Sequence, residues 1–191
     1  MKLSLAKWIG LFAVLVSIFA GCAPKARLID VAAKNDVATL TQMLKKTNPQ
    51  KDLDEALVVA VMKKSRDAMD LLFEAGANSN AVQRNTPLTI ATAAPYSPDL
   101  ETVQALLNHG ADPNLPDSTG QRPIHMIVYE YERHKKLDIV SALLAAGADP
   151  KAKDHRGKSA IQIAEEKELN EVLELFDSFS NGNLGASKKG S

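Results

Sequence analysis

The sequence predicts an all-α solenoid, a row of similar helix–turn–helix units stacked side by side, and three observations predict it. An apolar helical run ends in the same small step at Gly76-Ala77-Asn78, Gly110-Ala111-Asp112 and Gly147-Ala148-Asp149. These steps stand 34 and 37 residues apart, among the periods of stacked helical repeats. A new helix start follows each step at a near-constant distance, as Thr86-Pro87-Leu88, Arg122-Pro123-Ile124 and Ser159-Ala160-Ile161.

At the amino end, Lys2 and Lys7 precede an apolar stretch from Trp8 to Ala20, and Phe19-Ala20-Gly21-Cys22 closes it. A basic start, a short apolar core and small residues before a processing point describe a secretory signal over residues 1–21. The stretch falls short of the roughly 20 apolar residues a spanning helix needs. The tetrapeptide resembles the lipobox of bacterial lipoproteins, with Phe19 where leucine is more usual. That resemblance implies cleavage before Cys22 and acyl chains on the cysteine, so that the membrane becomes a partner. Cys22 is the chain's one cysteine, and no internal disulfide can form. Multiple acyl chains anchor stably where a single one binds marginally. Ala23, rather than aspartate, follows the cysteine, which by the same resemblance implies a Gram-negative outer membrane and a domain facing the periplasm. Residues 22–26 then form a short tether.

The stack is expected over residues 27–179. Its first unit is degenerate, read from Ala32 to Leu40 with Met43-Leu44; in the second, Glu55-Ala56-Leu57 stands at the helix start and Asp67-Ala68-Met69-Asp70-Leu71-Leu72 forms the second helix. In the third unit Thr86 supplies a cap and Pro87 the first helical position, where its missing N–H costs nothing. The second helices of the third and fourth units carry apolar residues at one helical spacing: Leu100, Val103, Leu106 and Leu107, then Leu137, Val140, Leu143 and Leu144. Each set makes one buried stripe. Glycine just past the stripe takes the left-handed conformation that ends a helix, and Asp-Pro opens a turn. The run Glu171 to Phe176 closes a fifth unit, with Glu165, Glu166, Glu168 and Asn170 giving the polar outer face that a terminal repeat needs. Residues 180–191 are rich in Gly and Ser and are expected to be a disordered tail.

Taken together, these residues resemble the ankyrin repeat, whose pattern runs from a Thr-Pro-Leu-His-type start through a Leu-Glu-Val-Val-Lys-Leu-Leu-type helix to a Gly-Ala-Asp-Pro-Asn-type exit. The resemblance extends over about five repeats, the first and last acting as caps. It implies β-hairpin loops between units, a monomer without cofactor, and a protein partner held by hairpin tips and the concave face. On this chain the tips are Val82, Gln83, Arg84, Leu115, Pro116, Asp117, Lys153, Asp154, His155 and Arg156. Extra residues at Pro95 to Asp99 and around Tyr129 to Lys136 depart from the pattern. They are either lengthened surface loops or a second surface bearing Tyr96, Tyr129 and Tyr131.

Composition excludes little but points away from nucleic acid. Lys and Arg number 23 against 23 Asp and Glu, and losing Lys2 and Lys7 with the signal leaves a slightly acidic domain. No nucleophile elbow, phosphate loop, metal-ligand spacing or catalytic carboxylate pair occurs. His125, at the helix-start position, is expected to bond an adjacent loop, and His109 to cover helix carbonyls; catalytic and metal sites are expected to be absent. Three functions remain open: a lipid-anchored adaptor or inhibitor that binds another envelope protein, an immunity protein neutralising a periplasm-acting toxic effector, and an envelope enzyme using Glu130, Glu132 and His134. The last requires acid–base groups brought together on the inserts.

Overall fold

The computed structural model describes residues 27–93 and 97–181. The expected signal, the tether with Cys22, Tyr96, and the tail beyond Asn181 lie outside the described residues. Within them stand eleven helices and no strand: α1 (Leu28–Ala33), α2 (Val37–Leu44), α3 (Gln50–Lys63), α4 (Arg66–Glu74), α5 (Pro87–Thr92), α6 (Leu100–Asn108), α7 (Pro123–Tyr129), α8 (Tyr131–His134), α9 (Leu137–Ala145), α10 (Ala160–Glu166) and α11 (Asn170–Ser180). Ser180, expected in the tail, is the last residue of α11.

Two rows of helices result. The inner row packs α1 on α3, α3 on α5, α5 on α7 and α7 on α10, while the outer row packs α2 on α4, α6 on α9 and α9 on α11. Several helices have six or seven residues, far below the length at which an isolated helix persists in water. Neighbours supply the stability. Leu57, Met69, Leu72, Leu106, Ile124, Ile127, Ile139, Leu143 and Ile163 are all at most 1% exposed, and each contributes about 1.5–3 kcal/mol by leaving water.

Local chemistry starts the inner helices. At α5 the Thr86 hydroxyl accepts the Thr89 N–H at 3.1 Å while Thr86 donates its own N–H to Thr89 Oγ1 at 2.9 Å. Ser159 and Gln162 repeat this reciprocal cap at α10. At α7 the Arg122 N–H is accepted by His125 Nδ1 at 3.2 Å. Threonine, histidine and glutamine thus satisfy the same orphan donor in successive units.

The inner helices end differently from the outer ones. Asn35, Lys64, Ser97, Lys135 and Glu168 turn the chain from inner to outer helix, all with φ between 46° and 55°, whereas Gly76, Gly110 and Gly147 close the outer helices. Non-glycine residues in this region carry a steric cost.

A ladder of side chains runs along the outer-helix exits. Asn80 donates its amide to the Gly110 carbonyl at 2.8 Å and accepts the Asp112 N–H at 2.7 Å. Asn114 does the same for Gly147 and Asp149, each at 2.8 Å. Between these rungs, Asn78, Asp112 and Asp149 accept the N–H two residues onward. The second unit differs from the expected register. Helix α3 begins at Gln50, so Glu55-Ala56-Leu57 lies inside it, and only residues 45–49 separate it from α2. In place of a loop asparagine, Gln50 donates to the Gly76 carbonyl at 3.0 Å and Asp54 accepts the Asn78 N–H at 2.8 Å.

Asn114→Ala removes both bonds of one rung and is expected to cost about 1–2 kcal/mol, measured as a fall in the urea midpoint. Lys64→Gly, relieving φ 55° at an exposed position, is expected to gain about 0.5–1 kcal/mol after the entropy that glycine adds to the unfolded chain. Hydrogen exchange at α3 and α4 should slow in that variant.

Candidate protein-binding edge

The loops that return from an outer helix to the next inner helix form one edge of the stack. Two of them are built alike. In Asp117-Ser118-Thr119-Gly120-Gln121 the Asp117 carboxylate accepts the Thr119 N–H at 2.8 Å, the Thr119 hydroxyl at 2.7 Å and the Gln121 N–H at 3.0 Å. In Asp154-His155-Arg156-Gly157-Lys158 the Asp154 carboxylate accepts the Arg156 and Lys158 N–H groups at 2.8 and 3.0 Å. Gly120 and Gly157 take φ +77° and +75° at the fourth position of each turn, a backbone that glycine adopts without strain.

This construction corrects the expected tip list. Asp117 and Asp154 are 8% and 7% exposed and face into their turns. Val82, Gln83, Arg84, Lys153, His155 and Arg156 are exposed, with Leu115 and Pro116 half-buried behind them. The loops are turns rather than ladders of strand pairing: one isolated bridge, Lys153 to Ser159, is the extent of β pairing among the described residues. Adjacent loops nevertheless touch. Ser118 donates its N–H to the Arg84 carbonyl at 3.0 Å, and His155 lies 3.5 Å from where a Cβ on Gly120 would stand. Arg122 ties the edge from below, donating to the Asn114 carbonyl at 3.0 Å and the Lys153 carbonyl at 2.8 Å.

Of the three tyrosines of the expected second surface, Tyr96 lies outside the described residues, and Tyr129 and Tyr131 are packed against the next unit. Tyr131 is 5% exposed, and its hydroxyl donates to Glu171 at 2.8 Å, joining the fourth unit's insert to α11. Burial, with the Glu171 carboxylate, pushes its pKa up to about 12. Tyr129 is half-buried and donates to Asp154 at 3.0 Å, while the Arg156 guanidinium lies 5.8 Å from its ring centroid. The extra residues around Tyr129 to Lys136 pack in because an amphipathic tyrosine ring fills space and its hydroxyl finds an acceptor. Burial opposes ionisation of Asp154, but the Lys158 and Arg156 N–H groups and the Tyr129 hydroxyl outweigh it and hold the carboxyl below its ordinary range.

The candidate acid–base groups are dispersed among separate partners. Glu130 lies 3.6 Å from Arg133 and Glu132 lies 3.2 Å from Lys167. His134 keeps a buried Nε2 without a hydrogen-bond partner. Among the described residues no group of three His, Cys, Asp or Glu side chains could hold a metal ion. The His109 ring stacks on Phe73 with centroids 4.0 Å apart, between α4 and α6, and makes no hydrogen bond to a helix carbonyl among the described residues. His125 takes the expected place, with Nε2 at 2.9 Å from the Ala152 carbonyl in the following loop. Since Nδ1 accepts from Arg122, the neutral Nε2–H tautomer satisfies both contacts.

Two rows of short helices flanked by an edge of turns make a repeat scaffold. The chain belongs to the ankyrin-repeat family: the family model described as ankyrin repeats (3 copies) matches residues 28–117 and 92–185. Ankyrin repeats generally mediate protein–protein interaction and are typically non-enzymatic. Comparison with curated proteins returns no match.

Burial lowers the His125 pKa from 6.5. A group that stays neutral in the fold but protonates on unfolding contributes stability above pH 6.5, and that contribution is lost as pH falls from there toward the lowered folded value. The urea midpoint is therefore expected to drop between pH 7 and 5. His125→Gln, which places at this cap the residue that α10 uses, should flatten the drop.

Proposed function

We propose that this chain is a lipid-anchored adaptor of the bacterial cell envelope, built of five ankyrin repeats, whose loop edge holds another protein. One observation carries the binding reading. The loop carboxylates are spent inside their turns, so the edge is fixed before any partner arrives and presents Val82, Gln83, Arg84, Lys153, His155 and Arg156 outward. A preformed surface lowers the ordering cost of association, which lets shallow contacts reach useful affinity.

The anchor reading rests on Phe19-Ala20-Gly21-Cys22 after a basic and apolar leader. Acylated Cys22 would hold the stack at the periplasmic face of the outer membrane, close to the lipid because the tether spans only residues 22–26. An adaptor so placed needs no chemistry of its own; its output is the position of its partner.

Crosslinking in intact envelopes followed by recovery of the wild-type protein is expected to yield one dominant partner in near-equal amount. Cys22→Ser should incorporate no labelled fatty acid and lose membrane association. Recovery of abundant envelope proteins alone would sink the adaptor reading, and a Cys22→Ser protein that still fractionates with membranes would sink the anchor.

A further inference from the structure

We infer that the loop edge recognises an acidic, extended segment of its protein partner, gripped by Arg84, Lys153 and Arg156. This rests on the adaptor reading and names the chemistry of what the edge holds.

The first observation is the asymmetry of charge along the edge. At its tips the carboxylates Asp117 and Asp154 are turned inward: Asp117 Oδ1 accepts two backbone N–H groups and the Thr119 hydroxyl, and Asp154 accepts two N–H groups and the Tyr129 hydroxyl, while Asp112 and Asp149 stay exposed at the start of the same loops. Of its cations, Arg84, Lys153 and Arg156 are exposed and Arg122 is half-buried beneath them. None of Arg84, Arg122, Lys153 and Arg156 forms an ion pair among the described residues, whereas Lys158, at the far end of the last turn, is engaged by Glu166. N–H donors offset part of the field of an inward carboxylate, and Arg84, Lys153 and Arg156 stand outside it, so the tips present cations first although acidic residues outnumber basic ones between Ser65 and Lys158.

The second observation is that the cations are held rather than loose. Arg122 is fixed by the carbonyls of Asn114 and Lys153. Arg156 lies over the Tyr129 ring and donates Nε–H to His155 Nε2 at 3.3 Å. Holding a long side chain in place removes part of the rotamer entropy that binding would otherwise cost. A guanidinium so presented suits the paired oxygens of a carboxylate.

The third is geometry. The loops touch in a row through Ser118 to Arg84 and His155 to Gly120, so their exposed cations follow one another from loop to loop. A line of cations fits a chain of Glu or Asp residues laid along it. A single phosphate would engage only one end.

The test uses the full-length protein and a fluorescein-labelled octaglutamate peptide, read by anisotropy at low and physiological salt. Binding is expected to weaken as salt rises. Arg84→Glu/Lys153→Glu/Arg156→Glu should weaken it about tenfold or more, since like charges then face each other, while the thermal midpoint stays near that of the wild type. Lys63→Glu/Lys64→Glu, at the end of α3 away from the loops, should leave it unchanged. Equal weakening by both variants, or a preference for phosphatidylglycerol vesicles over the peptide, would overturn the acidic-segment inference. In envelope crosslinking, undiminished capture of one partner by the triple variant would overturn it and leave the adaptor reading standing.

Discussion

The structure depends on how each outer helix is brought to an end. A helix leaves its last carbonyls without intrahelical partners, and in a stack of short helices such ends recur in every unit. Gly110 and Gly147 answer one part of the need by turning the chain left-handed at φ +79° and +94°. Asn80 and Asn114 answer the other by accepting one N–H and donating to one carbonyl from the loop alongside. Each asparagine is itself positioned by the Asn or Asp two residues before it. The rungs are therefore linked, and the loop edge inherits its straightness from them. Gln50 and Asp54 show that the constraint is chemical rather than a matter of sequence position. Where the chain provides no loop, a longer α3 brings an amide and a carboxylate to the same two backbone groups.

Much of this was legible. The Gly-Ala-Asp steps, the capped helix starts at Thr86 and Ser159, and the leucine stripes of α6 and α9 fix both rows of helices, because each depends on contacts within a few residues or on simple periodicity. The start of α3 was not legible from the repeat register. Gln50 to Asp54 hold no cap or proline at the expected offset, and the helix is extended by bonds to Gly76 and Asn78, more than twenty residues away. The inner turns at Lys64 and Lys135 were equally hidden, since no glycine marks their positive φ.

The candidate edge was legible in outline and misread in two details. Asp and Gly recur at one spacing in Asp117 to Gly120 and Asp154 to Gly157, which is the signature of a turn closed by its own carboxylate. Counting those aspartates as contact residues overlooked it. The tyrosines failed for a different reason. Sequence places Tyr129 and Tyr131 in an insert, and inserts are usually surface, but the hydroxyl acceptors Asp154 and Glu171 come from the next unit. Only stacking reveals that the insert is a buttress.

These details combine into one electrostatic consequence. The turn carboxylates do two things at once: they fix the loops, and by facing inward they leave the exposed Lys153 and Arg156 as the charged groups a partner meets first at the last turn. Tyr129 extends the effect, since its hydroxyl helps satisfy Asp154 while its ring carries Arg156. Local folding and surface potential are therefore not independent on this edge. With interaxial spacings of roughly 10 Å per unit, the turn at Asp154 lies several units from Arg27, where the described chain begins. An anchor at Cys22 would hold the first unit near the headgroups, and with the stack standing away from the bilayer the last basic turn would lie well beyond a Debye length of roughly 8 Å from them. In that orientation the charge at the last turn would be free to meet a protein rather than the lipid surface.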